Sequence, residues 1–137
     1  MKTLIAAMLL WIGANTNYNV DINHPTIVYL SQDKLEHIYS KGKGVKNSEL
    51  HGFYDTKEDI IYLPDTFDQY NAWHKGVLIH ELIHYVQDQN EAKFNCTAEM
   101  EAESWPLQKK YLLEVHGVNW DYDKLWHHFQ STCMQPY

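Results

Sequence analysis

The sequence has no internal repeat, no low-complexity tract and no long linker, and it contains only 4 prolines and 6 glycines among 137 residues. These absences exclude repeat architectures and domains joined by extended linkers. One basic stretch, residues 41–47, is typical of a flexible loop. A chain of this length can bury one hydrophobic core but not two of full size. We therefore expect a single domain.

Basic residues are also few. Lysine and arginine together number 11 against 18 aspartates and glutamates, which gives a formal net charge of −7. An acidic surface repels nucleic acid and anionic lipid, and the sequence has no glycine-rich phosphate loop and no serine nucleophile motif. We expect no nucleic-acid partner. The net charge indicates no other partner, because a solvated acidic surface explains it.

Long apolar runs are absent beyond the N-terminus. There, Lys2 precedes an apolar run at residues 4–14, and polar Asn15 follows it. The run is too short to span a bilayer comfortably, and its composition is typical of a secretory signal peptide. We expect residues 1–16 to be removed, which leaves residues 17–137 as a soluble domain in the periplasm or outside the cell. A retained membrane anchor is the alternative.

Cysteine is scarce as well, with Cys96 and Cys133 as the 2 cysteines of the chain. In an exported protein an even pair of cysteines forms a disulfide more often than two free thiols. We therefore predict a Cys96–Cys133 disulfide. It would tie the end of the chain to a segment near residue 96.

The hydrophobic pattern predicts an α+β fold whose second half is mainly helical. β-branched and aromatic runs indicate strands, and apolar residues three and four apart indicate helices. The predicted strands cover residues 26–30, 52–55 and 60–63, and the predicted helices cover residues 32–40, 69–89, 97–115 and 122–129. The second and third strands form a hairpin signature, and Gly117 is a natural stop for the third helix.

The pentapeptide at residues 80–84 has the pattern His-Glu-x-x-His and lies on a predicted helix. Residues four apart share one helix face, so His80 and His84 can bind one cation. A zinc ion lowers the pKa of its bound water, and Glu81 lies close enough to take a proton from that water as it attacks a carbonyl. The motif therefore predicts a catalytic zinc site with Glu81 as general base.

Histidines on a helix are also often hydrogen-bonded core residues. The four-residue spacing, the intervening glutamate, the apolar neighbours and the preceding strand favour the metal site. A catalytic zinc takes three protein ligands and leaves one position for water, so a third ligand is required. The metzincin arrangement would need glycine at position 87 and histidine at position 90, but the chain has Gln87 and Asn90. That subclass is excluded.

An acidic cluster follows the motif and contains Glu99, Glu101 and Glu103. At this point the chain resembles the gluzincins, in which a glutamate from the next helix completes the zinc site. In several small gluzincin-like families the ligand is followed by alanine three residues later and by an acidic or polar residue four residues later, as Glu99 is by Ala102 and Glu103. The resemblance implies that Glu99 is the third zinc ligand and that Glu103 orients a ligand imidazole.

Two departures from the gluzincin pattern leave the third ligand open. The spacer between the motif and Glu99 is short, and Pro106 interrupts the predicted ligand helix. Glu103 is the first alternative to Glu99 as a ligand. Glu101 is a further alternative, although it points elsewhere on a regular helix and fits an ordinary solvated face best.

The resemblance covers roughly residues 52–108 and implies a minimal zincin-like domain, with a short antiparallel sheet before the motif helix. In zincin-like enzymes an edge strand precedes that helix and pairs with peptide substrates, and Ile60–Leu63 is the candidate here. A residue that stabilises the transition state often comes from outside the motif. His51, His116 and Tyr111 are candidates of equal standing.

We therefore expect an exported, zinc-dependent metallopeptidase whose substrate is a peptide or protein, with a cell-wall peptide or another amide as further options. Its site would consist of His80, His84 and Glu99 as zinc ligands and Glu81 as base. The alternative is a non-catalytic binding or structural protein in which zinc or the histidines hold the helices together. A short chain leaves little room for a second substrate-binding lobe, which gives that alternative some weight beside the metallopeptidase.

Overall fold

The structure, a computed structural model, describes residues 1–41 and 50–133. Within these ranges it has five α-helices and three strands, which confirms the α+β class. They are α1 (Lys2–Asn15), β1 (Thr26–Leu30), α2 (Gln32–Tyr39), β2 (Phe53–Asp55), β3 (Ile60–Pro64), α3 (Ala72–Gln89), α4 (Glu101–His116) and α5 (Lys124–Gln130). Apart from Lys41, the predicted basic loop lies outside the described residues.

The three strands form one mixed sheet in the order β1-β3-β2. β2 and β3 pair antiparallel, as the hairpin signature predicts, and β1 adds to β3 in parallel, so the expected short antiparallel sheet is extended to a mixed one. The connection from β1 through α2 is long enough for a parallel crossover. Ile60–Leu63 is therefore part of the central strand, and β2 is the edge strand of the hairpin.

Helix α3 runs through the middle of the core. Asn71 caps its N-terminus by accepting a hydrogen bond from the backbone N–H of His74. Five aliphatic residues of α3 have no exposed surface: Leu78, Ile79, Leu82, Ile83 and Val86. A Cβ atom added at Gly76 would come within 3.1 Å of Leu112 on α4, so the two helices approach closely there. This approach lets side chains of α3 reach the first turns of α4.

Helix α4 begins later than the sequence predicts. Thr97–Met100 forms a 3₁₀ turn, and the α-helix starts only at Glu101. It ends at His116 and is capped by Gly117, whose φ of 65° is favourable for glycine, so the predicted stop is confirmed. Because a 3₁₀ turn has three residues per turn, side chains before and after the junction do not follow one helical phase.

The predicted disulfide is present and joins Cys96 to Cys133, with a Cα–Cα distance of 5.9 Å. It links the residue just before the 3₁₀ turn to the chain beyond α5. Closing a loop of this length restricts the unfolded chain, which stabilises the fold by roughly 3–4 kcal/mol in the chain-entropy model. The disulfide thereby fixes the start of the segment that leads into α4.

Helix α1 occupies the region predicted to be a signal peptide, and it packs into the core. Ile5, Met8, Leu9 and Ile12 are each at most 4% exposed. Trp11 meets Tyr111 of α4 edge to face, with ring centroids 5.4 Å apart. Among the described residues, no helix is both long and apolar enough to cross a membrane.

The packing of α1 can be tested by comparing two truncations on the same helix. We expect Ile12→Ala to lower the free energy of unfolding by about 2–5 kcal/mol, because it opens a cavity at a side chain with no exposed surface. Leu10→Ala should change it by less than about 0.5 kcal/mol, since Leu10 is 71% exposed. Urea unfolding of the full chain measures both values. Equal effects would contradict the described packing of α1.

Candidate metal centre

Helix α3 places the two motif histidines side by side, facing α4. The Nε2 atoms of His80 and His84 are 3.1 Å apart. Their rings are nearly perpendicular, with centroids 4.7 Å apart. The four-residue spacing produces this convergence, as the motif predicts. His84 is buried, and His80 is partly exposed.

The carboxylate that meets both imidazoles belongs to Glu101, the first residue of α4. Its Oε1 lies 2.8 Å from Nε2 of His84, and its Oε2 lies 3.2 Å from Nε2 of His80. The indole N–H of Trp105 and the hydroxyl of Ser104 donate to the same Oε2 at 2.7 and 3.0 Å. These donors hold the carboxylate in its orientation towards the histidines.

The outer nitrogens of both rings meet glutamine side chains. Nδ1 of His80 lies 2.8 Å from Oε1 of Gln108, and Nδ1 of His84 lies 2.9 Å from Oε1 of Gln87. An amide oxygen can only accept a hydrogen bond, so each Nδ1 carries the proton. In neutral rings both Nε2 lone pairs would then face each other at 3.1 Å. A cation, either a proton or a metal ion, must therefore stabilise this arrangement.

The donor set fits a zinc ion. Two imidazole nitrogens and one carboxylate are a known ligand set for catalytic zinc. With bonds of about 2.0–2.1 Å, a tetrahedral site would separate its ligand atoms by about 3.3 Å. In the structure the two Nε2 atoms are 3.1 Å apart. The nearest Glu101 oxygens lie 2.8 Å from Nε2 of His84 and 3.2 Å from Nε2 of His80. Small side-chain shifts would therefore be enough to seat the ion.

Glu81 lies next to the three converging residues. The backbone N–H of Tyr54, on the edge strand β2, donates a hydrogen bond to its carboxylate. Burial raises the pKa of Glu81, and this effect exceeds the opposing attraction of His80 and His84. A carboxylate with a raised pKa in such a position can accept a proton and later release it.

The charges of the cluster are strongly coupled. Burial would lower the pKa of His84, but its hydrogen bond to Glu101 and the nearby carboxylates raise it to about 9. Burial would also lower the pKa of His80, but its interaction with Glu101 opposes this effect, and the pKa of His80 is raised. Burial would raise the pKa of Glu101, but the two histidines hold it far below its usual range. Without a metal, the cluster is thus a carboxylate paired with protonated imidazole.

Glu81, His84 and Glu101 share one open cleft of about 610 Å³. Gly52–Thr56, which includes β2, contributes to one wall, and residues of the 3₁₀ turn contribute to another. Gln130 of α5 and Tyr39 at the end of α2 also line it. A substrate in this cleft would contact Glu81, His84 and Glu101 together.

Glu99, which the gluzincin resemblance favours as the third ligand, does not meet the histidine pair. Its Oε1 accepts a hydrogen bond from Asn95 at 2.9 Å and lies 3.3 Å from the sulfur of Cys133. The sequence prediction treats residues 97–115 as one regular helix, whereas the 3₁₀ turn changes the phase before Glu101. The carboxylate that meets the histidine pair is thus that of Glu101 and not that of Glu99.

Glu103 takes an indirect part. It contacts neither imidazole in the described hydrogen bonds, but it accepts a hydrogen bond from Gln87, whose other end holds His84. The expectation that Glu103 orients a ligand imidazole is thus met only through an intermediate side chain. Sequence reasoning missed Gln87 and Gln108 because glutamines carry no motif signal for this role. Gln87 lies three residues after His84, and Gln108 lies three residues after Trp105. These spacings indicate a contact with the site only once the facing sides of α3 and α4 are known.

The candidates for transition-state stabilisation lie outside the cleft. Tyr111 packs against Trp11 and the ring of His116, far along α4. His51 lines a neighbouring cavity together with Gln108. Tyr39, for which the sequence carries no motif signal, does line the cleft.

A second group of potential ligands, Cys96, Glu99 and Cys133, also lies close together. Zinc binds the thiolate form of cysteine. Both sulfurs are joined in the disulfide, so neither is a thiolate. The cluster of His80, His84 and Glu101 is the better metal centre of the two.

The ion pair predicts how the stability of the metal-free protein depends on pH. Because the pKa of His84 rises from 6.5 to about 9 on folding, its contribution is complete below pH 6.5 and is lost as the pH rises towards 9. We expect the free energy of unfolding of chelator-treated protein to fall over this interval. Glu101→Gln should flatten the fall, and Glu114→Gln, at an exposed pair with Lys110, should not. A rise in stability over the interval would contradict the pairing.

No curated protein and no solved structure matches the chain. The family model described as a domain of unknown function, DUF6647, matches residues 1–136, which includes helix α1, the motif helix and Glu101. The chain therefore belongs to the DUF6647 family.

Proposed function

We propose that the protein is a zinc-dependent hydrolase that cleaves peptide or other amide bonds. The observation that carries this proposal is the convergence of two imidazole Nε2 atoms and the Glu101 carboxylate within 3.2 Å of one another. The carboxylate of Glu81 lies in the same open cleft. The donor set fits a zinc ion, and the cleft leaves access for a substrate.

His80, His84 and Glu101 would hold the ion. Bound zinc would supply a water of lowered pKa and would polarise the scissile carbonyl. Glu81 accepts the proton of the attacking water as the new C–O bond forms. It then passes the proton to the leaving nitrogen as the C–N bond breaks, so protons balance over the cycle. The hydrogen bond from the Tyr54 backbone keeps the Glu81 carboxylate in place for both transfers.

The edge strand favours an extended peptide as substrate. β2 pairs with β3 on one side only, and the same segment lines the cleft beside Glu81. A peptide can add to such an edge through backbone hydrogen bonds, which gives affinity without a second lobe. We therefore assign the pairing with a peptide substrate to Phe53–Asp55, because Ile60–Leu63 lies in the central strand.

The location of the protein is part of the proposal. The Cys96–Cys133 disulfide supports an oxidising compartment such as the periplasm or the extracellular space. The burial of α1 favours its retention in the folded chain, in contrast to the removal of residues 1–16 that its composition predicts. Removal would leave the apolar partners of four buried side chains exposed to water.

A structural metal site is the second candidate function. The cluster lies where α3 and α4 meet, and the backbone carbonyl of Glu101 also accepts a hydrogen bond from His127 of α5. An ion there would fasten three helices whether or not it acted in catalysis. Structural zinc sites are usually closed by four protein ligands, whereas three protein residues converge here beside an open cleft. This difference favours the hydrolase.

Removal of the proposed base tests catalysis separately from metal binding. We expect Glu81→Gln to keep one zinc per chain and to lower the hydrolysis of a fluorogenic peptide mixture by about 10²–10⁴-fold. Glu114→Gln, an exposed change on α4, should leave both values unchanged. Metal analysis and initial rates measure the effect. If Glu81→Gln binds zinc and is as active as the wild type, Glu81 is not the base.

Two glutamate variants test the third ligand. We expect Glu101→Gln to weaken zinc affinity at least about tenfold, because a neutral amide replaces the carboxylate that faces both imidazoles. Glu99→Gln is the matched control and should bind zinc as the wild type does. Competition with a chromophoric chelator measures both affinities. The opposite order would restore Glu99 as the ligand.

A further inference from the structure

Helix α3 contains one fully buried polar side chain, Gln87, and the proposed metal site accounts for only one end of it. We infer that Gln87 and Glu103 are positioning residues for His84, and that Tyr18, just beyond α1, completes their hydrogen-bond chain. This inference rests on the proposed metal site. It assigns to the N-terminal segment a role in setting the geometry of that site.

The chain runs through four side chains. Nδ1 of His84 lies 2.9 Å from Oε1 of Gln87. Nε2 of Gln87 donates to Oε1 of Glu103 at 3.1 Å. The hydroxyl of Tyr18 donates to the same carboxylate oxygen at 2.5 Å. The chain therefore connects a candidate metal ligand to a residue 66 positions earlier in the sequence.

The charge of Glu103 sets the direction of every bond in the chain. An ionised carboxylate only accepts, so both Tyr18 and the amide nitrogen of Gln87 must donate to it. The amide nitrogen also donates to the backbone carbonyl of Met100 at 3.1 Å, which prevents the amide from flipping. The amide oxygen is then left to accept from Nδ1 of His84. As a result, the lone pair of His84 is on Nε2, where a metal ligand needs it.

The N-terminal segment is held at this place by contacts of its own. The backbone N–H of Tyr18 donates to Thr16, whose hydroxyl donates to the carbonyl of Ile12 in α1. Asn19 and Asn90 exchange two hydrogen bonds, at 2.8 and 2.9 Å, which ties the segment to the C-terminal end of α3. Tyr18 is thus fixed between α1 and the motif helix.

The two histidines differ in how firmly the glutamine beside each Nδ1 atom is held. His80 has Gln108 as its partner, and Gln108 lines an open cavity. Gln87, the partner of His84, is fully buried, and its amide nitrogen donates to both Met100 and Glu103. The buried chain should therefore restrict His84 more than Gln108 restricts His80.

The experiment measures zinc affinity of full-length variants by competition with a chromophoric chelator, with the visible spectrum of the Co²⁺-substituted protein as a second readout. We expect Gln87→Leu to weaken zinc binding by about 10–100-fold and to alter the Co²⁺ spectrum. Tyr18→Phe should weaken it in the same direction by a smaller factor. Gln89→Leu, the same change at an exposed position of α3, should leave affinity and spectrum unchanged.

A charge exchange separates positioning from folding. In the double variant Gln87→Glu with Glu103→Gln, residue 87 still accepts from His84 and residue 103 can donate to it, while the bond from residue 87 to the Met100 carbonyl is lost. We expect zinc affinity to return to within about tenfold of the wild type. Wild-type affinity and spectrum in Gln87→Leu would overturn the inference alone. Zinc binding without hydrolysis in the wild type would overturn the proposed hydrolase alone, and no zinc binding would overturn both.

Discussion

Two imidazole nitrogens that face each other at 3.1 Å form the constraint on which the rest of the site depends. Glutamine oxygens hold the protons on the outer nitrogens, so the inner lone pairs of His80 and His84 converge and need a positive charge between them. Glu101 supplies the balancing negative charge. In a buried setting such an arrangement is costly unless it is complete, because unpaired charges lose their hydration. A proton or a divalent cation can complete it.

The surrounding fold can be understood as the support for this arrangement. α3 carries the histidines through the core, and its close approach to α4 at Gly76 brings the carboxylate within reach. The disulfide and His127 fix the segment that leads into α4 from opposite ends. β2 leaves an edge open at the cleft and holds Glu81 through a backbone hydrogen bond. Rigid helices thus carry the proposed ligands, while the exposed edge is free to meet a substrate.

Local periodicity was sufficient to predict the helices, the hairpin and the convergence of His80 with His84, because these depend on residues close in sequence. It was insufficient for Glu101, since a 3₁₀ turn before α4 changes the phase that a regular helix would give. Apolar content predicts a signal peptide at residues 2–15, but it does not predict how that segment packs as a helix, because the packing depends on contacts across the fold. The role of Gln87 depends on contacts across the fold, which no local pattern records.

We propose that zinc binds between the two histidines and Glu101, and not at the sulfur cluster near Cys96. X-ray absorption at the zinc edge of the metal-loaded protein tests this most directly, because sulfur and nitrogen ligands differ in bond length. Zinc between the two histidines and Glu101 would have nitrogen and oxygen neighbours at about 2.0–2.1 Å, two of them from imidazoles, and no sulfur neighbour. A sulfur shell at about 2.3 Å, or a single imidazole, would contradict it.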